Sequence, residues 1–232
     1  MRELMAAEGE TLYEHIDVAL EEYNEVFLSK GYGKFIANRL KRLFTCENCE
    51  VLASLAILLH DSGKAHFRYQ ANLSRPGIPH EAYSAAIAWN TLLLNEDERE
   101  IVAAAILLHH EYMRLPNSNR IIEDFNGHIE ELRAIIQKLS LKHGLELYLD
   151  ISKITPLPRD YVREIVKELN KKLRSKDRRF YLCTMLILHP LVICDNFSAA
   201  IHRRKGRYPR LLEDLEDPKT TSYLQDYLRK ML

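Results

Sequence analysis

Apolar residues recur along this 232-residue chain at the three- and four-residue intervals of amphipathic helices. The first such stretch, residues 11–30, places Leu12, Ile16 and Leu20 on one stripe, and Gly31 and Gly33 are predicted to end that helix. Further helices are predicted at residues 47–60, 80–94, 120–142, 159–174 and 177–204, with one more between the N-cap Asn95 and Pro116 and a short one at 219–231. No segment shows the alternation of a strand, so the pattern predicts an all-α fold with residues 1–232 as a single globular helical domain.

The composition is that of a globular helical protein, and the net charge bears on whether the protein binds nucleic acid. Hydrophobic residues make up 47% of the chain and charged residues 28%, with only 8 Gly and 8 Pro. The 33 basic and 33 acidic residues cancel, so the overall charge gives no support to nucleic-acid binding, although local basic patches still can.

The N-terminal segment MRELMAAEGE lacks the apolar core of a signal peptide. The apolar runs are about nine residues long, far short of the ~20 that a bilayer span needs. We therefore predict a cytoplasmic protein with no membrane partner and with reduced thiols. Cys46 and Cys49 have the spacing of half a zinc site, but Cys183 and Cys194 do not supply a matching half, which disfavours structural zinc.

Polar side chains interrupt the apolar helical faces at five places. Two pairs stand at the ends of strongly apolar helices, and three single residues lie on or open other helices: His60-Asp61, His109-His110, His15, His80 and Asp195. Each one alone is explained as a hydrogen-bonded core residue or a buried cap. Together they are the imidazoles and carboxylates that first-row metals prefer, and helical bundles build metal sites from such facing side chains.

Seven ligands exceed the four that a zinc ion takes, and they suit two ions that share one carboxylate. Asp61 is the natural bridge, and paired ions suit displacement at a phosphoester. Lys64 lies three residues beyond Asp61, where a cation is suited to neutralise a substrate phosphate or protonate a leaving oxygen. The alternative for Lys64 is an exposed loop lysine. A phosphate-binding loop is excluded because Leu58 stands where that motif needs glycine.

The ordered series His15, His60-Asp61-x-x-Lys64, His80, His109-His110 and Asp195 resembles the HD phosphohydrolase superfamily. The adjacent histidines and the separate His80 motif most resemble its stand-alone HD nuclease branch of type I CRISPR interference. The resemblance covers residues 11–205. It implies the HD fold, with a metal site in the helical core.

The resemblance also implies roles for individual residues. One ion would be held by His15, His60, Asp61 and Asp195, and the other by Asp61, His80, His109 and His110. Asp61 and Lys64 would be catalytic, with Lys64 acting at the scissile phosphate, while Ser84 and Ser198 would pack on the motif helices or contact a ligand. The implied cofactors are two divalent transition metal ions, with Mn, Ni, Co or Fe expected and Mg possible.

The family resemblance implies cleavage of DNA, chiefly single-stranded, beside a separate helicase subunit and the RNA-guided surveillance complex of CRISPR interference. Basic residues near Asp195 are the candidates for contact with a phosphate backbone: Arg203, Arg204, Lys205 and Arg207. A second basic run lies at residues 167–179, where a solvated helix face explains the charges equally well.

Two other functions compete with the nuclease. The first is an HD phosphohydrolase acting on a small nucleotide, such as a nucleotide triphosphate or a cyclic dinucleotide, and the neutral net charge favours it slightly. The second is a nucleotide-sensing or scaffold domain with decayed metal sites. The intact set of seven ligands argues against that last possibility.

Overall fold

Helices account for most of the part of the chain that the computed structural model describes, which is residues 3–74, 77–110, 116–176 and 178–202. A short hairpin precedes them, with strands β1 (Met5–Ala7) and β2 (Glu10–Thr11). The helices are α1 (Leu12–Glu22), α2 (Tyr32–Leu40), α3 (Leu52–Leu59), α4 (Phe67–Ala71), α5 (His80–Thr91), α6 (Glu96–Leu108), α7 (Ile129–Lys142), α8 (Arg159–Leu173) and α9 (Arg179–His202).

Helix α3 lies at the centre of the fold. All eight of its residues are buried, because α1, α5, α6, α7 and α9 pack around it. A helix that is apolar on every side is stable only in such a position. Its C-terminal end, where His60 and Asp61 follow, is therefore inside the protein and surrounded by other helices.

Local sequence signals fix the two helix starts that matter most for the interior. Thr11 caps α1: its hydroxyl oxygen accepts from the backbone N–H of Glu14, whose own side chain accepts from Thr11. The side chain of Asn95 accepts from the backbone N–H of Glu98 and caps α6 as predicted. Helix α1 continues through a π-helical turn and a 3₁₀ turn and ends at Gly31, whose φ of +84° is left-handed.

Some predicted boundaries are wrong, for reasons that lie in tertiary contacts. The helix predicted at 47–60 begins only at Leu52, because the buried carboxylate of Glu98 accepts the backbone N–H groups of Glu47 and Asn48 and holds them in a turn. The helix predicted at 80–94 ends at Thr91, since Leu92 pairs with Leu149 as an isolated β-bridge.

Other differences concern elements too short or too irregular for a periodic signal. The helix predicted at 120–142 begins at Ile129, since Phe125 forms a bridge with Leu157. Helix α4 and the hairpin, with strands of three and two residues, were not predicted. Gly33 lies inside α2 and does not end a helix.

Helix α9 runs through Pro190 and forms one wall of the interior. Its segment Arg179–Ile201, with a mean hydropathy of 1.5, is long and apolar enough to cross a membrane by length and composition alone. Core helices share that property, and α9 packs against α1, α3 and α6 with Ile187 and Leu191 buried. The predicted short helix at 219–231 lies outside the described residues.

Two of the four cysteines do not have the reduced thiols that the sequence predicts. Cys46 and Cys49 are joined as a disulfide in the structure, with their Cα atoms 5.6 Å apart. The prediction of reduced thiols is wrong for this pair, and the pairing leaves it no role as half of a zinc site.

We predict that Glu98→Ala lowers the free energy of unfolding by about 2 kcal/mol, because the backbone N–H groups of Glu47 and Asn48 lose a charged acceptor. Chemical denaturation monitored by circular dichroism measures the change. Asp97→Ala, at an exposed position in the same helical turn, is the control and changes the stability by less than about 0.5 kcal/mol. Equal stability of the two variants would contradict the role assigned to Glu98.

Candidate metal centre

Helices that are distant in sequence bring together the seven side chains singled out above. The imidazole of His15 comes from α1, and His60 and Asp61 follow the last residue of α3. His80 begins α5, and His109 and His110 follow α6. Asp195 lies on α9. Their ligand atoms form two groups of four, each within 4.8 Å of one another, that share Asp61.

The first group, called cluster A here, contains His15, His60, Asp61 and Asp195. The Nε2 atom of His15 lies 3.0 Å from Asp195 Oδ1, 3.2 Å from Asp61 Oδ2 and 3.3 Å from His60 Nε2. The Nε2 atom of His60 lies 3.4 Å from Asp61 Oδ2 and 3.5 Å from Asp195 Oδ1. Four nitrogen and oxygen atoms therefore face a common point.

The second group, called cluster B here, contains Asp61, His80, His109 and His110. The Nε2 atoms of His80 and His110 are 2.9 Å apart. Asp61 Oδ1 lies 3.4 Å from His80 Nε2 and 3.8 Å from His109 Nε2. Asp61 thus presents Oδ2 to cluster A and Oδ1 to cluster B.

The C-terminal ends of two helices orient the imidazole rings that follow them. The Nδ1 atom of His60 lies 2.7 Å from the carbonyl oxygen of Ile57, and the Nδ1 atom of His109 lies 2.6 Å from that of Ile106. Each Nδ1–H donates to a carbonyl in the last turn of the preceding helix, where the carbonyls have few partners within the helix. The proton on Nδ1 leaves the lone pair on Nε2, which points into the clusters.

The donor set fits divalent metal ions. Ligand atoms that hold one ion at ~2.0–2.2 Å lie ~3–3.5 Å from one another, which matches most of the separations in both clusters. Among the described residues, neither oxygen of Asp61 nor Nε2 of His109 has a hydrogen bond of acceptable geometry, although all three atoms are buried. Buried polar atoms without hydrogen bonds are rare, and facing acceptors repel unless a cation lies between them.

Residues 31–125 match the HD domain family model. The chain has the HD domain fold. Two curated relatives named CRISPR-associated endonuclease Cas3-HD are each 28% identical to it. The one from Pyrococcus furiosus aligns over 90% of this chain and 96% of its own length, and the one from Thermoproteus tenax over 86% and 89%.

The solved structure of a CRISPR-associated Cas3 HD domain protein from Methanocaldococcus jannaschii superposes with a TM-score of 0.64. It covers 83% of this chain and all of its own, at 24% identity, and supports the fold alone. The predictions of an all-helical HD fold and of a metal-dependent hydrolase are confirmed. The core of the HD domain holds His and Asp clusters able to bind divalent metal.

Lys64 is not an exposed loop lysine. Its side chain is 5% exposed, and its Nζ lies 2.5 Å from Asp61 Oδ2, with the ring of Tyr69 at 5.8 Å. Burial disfavours the charged ammonium, but Asp61 outweighs this effect and raises the pKa of Lys64 above its usual value. The HD domain therefore places a permanent cation against the carboxylate shared by both clusters.

Asp61, His80 and His109 have the ionisation states that metal ligands need. Burial acts to raise the pKa of Asp61, but Lys64 and His60 hold it well below its usual range. Burial lowers the pKa of His80 to about 4 and that of His109 to about 3. At neutral pH, Asp61 is a carboxylate and these two imidazoles are neutral ligands.

His15 differs from the other imidazoles in its surroundings. Burial acts to lower the pKa of His15, but the neighbouring carboxylates of Asp195, Asp61 and Glu10 raise it well above the usual value. The Nδ1 atom of His15 lies 2.6 Å from Glu10 Oε1. Glu10 was not singled out from the sequence, because an acidic residue before a helix is common and its approach to His15 depends on the hairpin.

The two serines of the motif helices have positioning contacts. Ser198 donates to the carbonyl oxygen of His15 at 2.8 Å, which ties α9 to α1 beside cluster A. Ser84 accepts from the backbone N–H of Gly63 at 2.8 Å and ties α5 to the turn after Asp61.

Gly63 allows that close contact. A Cβ atom added at Gly63 would lie 2.1 Å from the carbonyl oxygen of His80. Any larger residue therefore pushes α5, and His80 with it, away from Asp61. The glycine of this turn fixes the distance between the two halves of cluster B.

The metal centre reaches solvent at three of its ligands. The side chains of His15, His60, Asp61 and His109 are fully buried, whereas those of Asp195 and His80 are 13% and 12% exposed and His110 is exposed. A substrate would approach past these three residues. The basic candidates Arg203, Arg204, Lys205 and Arg207 lie outside the described residues, so their position relative to these ligands stays a prediction.

We predict that Gly63→Ala lowers the free energy of unfolding by about 1–3 kcal/mol and weakens Mn²⁺ binding at least ~10-fold. The reason is the displacement of His80 from Asp61. Calorimetric titration with Mn²⁺ and denaturant unfolding measure the two effects.

Gly144→Ala is the matched control, because Gly144 has a φ of +68° but no atom within 4 Å of an added Cβ. It costs about 1 kcal/mol of stability through backbone strain and leaves Mn²⁺ binding unchanged. Unchanged Mn²⁺ binding in Gly63→Ala would contradict the spacing role of Gly63.

Proposed function

We propose that this protein is a metal-dependent nuclease that cleaves DNA, chiefly single-stranded, in CRISPR interference, beside a separate helicase and the RNA-guided surveillance complex. It acts in the cytoplasm as one HD nuclease domain. The observation that carries the proposal is the pair of ligand clusters that share Asp61. Support for the substrate comes from the relatives named CRISPR-associated endonuclease, which align over nearly their whole length.

In this proposal, His15, His60, Asp61 and Asp195 hold one divalent ion, and Asp61, His80, His109 and His110 hold the other. Asp61, the residue that the two clusters share, would be a ligand of both ions. The ions are Mn, Ni, Co or Fe, since imidazole-rich sites favour these over Mg. When bound, paired ions supply an activated water and stabilise the charge that develops on the phosphate oxygens.

Lys64 is proposed to act at the scissile phosphate. Its ammonium group is fixed beside Asp61 and carries a charge throughout the physiological pH range. A buried cation stabilises negative charge on a phosphate more strongly than one in water does. Lys64 thereby neutralises the phosphate or protonates the leaving oxygen.

The exposure of three ligands supports a polymeric substrate. Asp195 of cluster A and His80 and His110 of cluster B are each partly or fully exposed, so both clusters are accessible to a phosphodiester of a long strand. The proposed phosphate-backbone contacts are Arg203, Arg204, Lys205 and Arg207, which follow the helix that carries Asp195. The competing substrate is a small nucleotide, favoured by the net charge of zero.

The direct test is degradation of circular single-stranded DNA by the full chain with Mn²⁺, Ni²⁺, Co²⁺ or Mg²⁺, run beside hydrolysis of nucleotide triphosphates and cyclic dinucleotides. We expect cleavage of the circles and no turnover of the nucleotides. Asp61→Ala abolishes cleavage, because both ions lose a ligand. Asp97→Ala, which changes an exposed carboxylate, retains it.

Turnover of a nucleotide with intact DNA circles would replace the nuclease proposal with the small-nucleotide function. Wild-type cleavage and metal content in Asp61→Ala would refute the bridging role. A protein that binds no metal and degrades neither substrate would favour the scaffold function.

Lys64→Met separates chemistry from metal binding. We expect it to retain both Mn²⁺ ions and to lower the rate constant of DNA cleavage ~10²-fold or more, because the cation at the phosphate is removed. Inductively coupled plasma spectrometry and single-turnover cleavage measure the two quantities. Lys142→Met is the control, since Lys142 pairs with Asp17 on the outer face of α1. Loss of metal from Lys64→Met would instead make Lys64 a structural residue.

A further inference from the structure

Glu10 is a fully buried carboxylate near the start of the described chain, and it faces His15, whose Nδ1 does not contact a carbonyl at the end of a helix as those of His60 and His109 do. Its Oε1 lies 2.6 Å from Nδ1 of His15. We propose that Glu10 is a positioning residue that orients His15 and makes cluster A bind its metal ion more tightly than cluster B. The inference rests on the proposed function only in requiring that the clusters bind metal.

The contact settles which nitrogen of His15 faces the ion. A carboxylate can only accept, so the Nδ1 atom carries the proton and donates it to Glu10. When the ring binds an ion as a neutral imidazole, its lone pair is therefore on Nε2, which lies 3.0 Å from Asp195 Oδ1 and 3.2 Å from Asp61 Oδ2. A carboxylate partner also makes the imidazole a stronger metal ligand than a neutral acceptor does.

Among the described residues, no carboxylate lies within hydrogen-bonding distance of Nδ1 of His60, His80 or His109. The Nδ1 atoms of His60 and His109 face backbone carbonyls, which are neutral. The Nδ1 atom of His80 lies 3.8 Å from Glu81, beyond hydrogen-bonding distance. Of the three histidines of cluster B, neither His80 nor His109 therefore receives the polarisation that Glu10 gives to His15.

Cluster A also carries more negative charge than cluster B, which favours tighter metal binding in cluster A. Cluster A contains two carboxylates, those of Asp61 and Asp195, with a third from Glu10 behind His15. The ammonium of Lys64 offsets the charge of the shared Asp61, so Asp195 and Glu10 account for the difference. Cluster B contains three imidazoles and the shared Asp61. A divalent cation is attracted more strongly to the site that carries more negative charge. Sequential loading, first in cluster A and then in cluster B, follows from this difference.

Glu10 is held in place by contacts that do not involve the ligands. Strand β1 is fastened by Gln70, whose side chain accepts from Met5 N and donates to Met5 O. The same amide of Gln70 donates to the carbonyl oxygen of Lys64 at 2.8 Å, and Tyr69 donates to Ala6 O. The hairpin that presents Glu10 is thus tied to the turn that follows His60 and Asp61.

Glu10→Gln tests the proposal, because it keeps the shape of the side chain and removes its charge. Calorimetric titration of the full, metal-free chain with Mn²⁺ is expected to show two unequal affinities in the wild type. In Glu10→Gln, the dissociation constant of the tighter ion rises ~10–100-fold, and that of the weaker ion stays the same. Electron paramagnetic resonance counts the bound Mn²⁺ independently of any activity.

Glu98→Gln is the matched control, since Glu98 is equally buried and its carboxylate accepts backbone N–H groups away from the clusters. It lowers the stability of the protein and leaves both Mn²⁺ affinities unchanged. Glu10→Asp retains the charge with a shorter reach, so it gives a smaller loss at the tighter ion. It also replaces Glu10→Gln if the latter does not fold.

Wild-type Mn²⁺ affinities in Glu10→Gln, or equal weakening of both ions, would overturn the proposal. So would two equal affinities in the wild-type protein. The proposed nuclease function fails separately: a wild type that binds two ions unequally but leaves single-stranded DNA intact would refute the substrate assignment and leave the role of Glu10 standing.

Discussion

Asp61 places a carboxylate in the interior of a helical domain, where an unpaired charge is expensive. The fold offsets that penalty with one permanent cation, Lys64, and with imidazoles that face both carboxylate oxygens. The other features of the centre depend on this arrangement. Helices α1, α3, α5, α6 and α9 converge there, and each of them carries or directly precedes a member of the two clusters.

The helices also orient the ligands through their ends. His60 and His109 each follow an apolar helix and donate through Nδ1 to a carbonyl three residues earlier. One contact satisfies a helix-terminal carbonyl and aims Nε2 into a cluster. His15 lies within α1, where no such carbonyl is available, and Glu10 takes over that task. The need to orient the rings thus explains why two ligand pairs lie at the ends of helices and why His15 depends on Glu10 of the hairpin.

The sequence predicted the helices that carry strong periodicity or a cap, such as α6 after Asn95 and the apolar α3. It failed where long-range contacts override local preference. The buried carboxylate of Glu98 removes five residues from the predicted start of α3, and the bridge of Leu92 with Leu149 shortens α5. The hairpin of β1 and β2 has too few residues to produce an alternating pattern.

By itself, the sequence determined the chemistry of this protein: imidazoles and carboxylates interrupting apolar helices indicate metal ligands, because a buried helix has no other use for so many. The tertiary structure alone decided the division of these residues into two clusters, the burial of Lys64 against Asp61 and the recruitment of Glu10. These features depend on distances between elements far apart in the chain. Residues 10 and 15, or 61 and 195, have no relation that periodicity can express, since only packing brings them together.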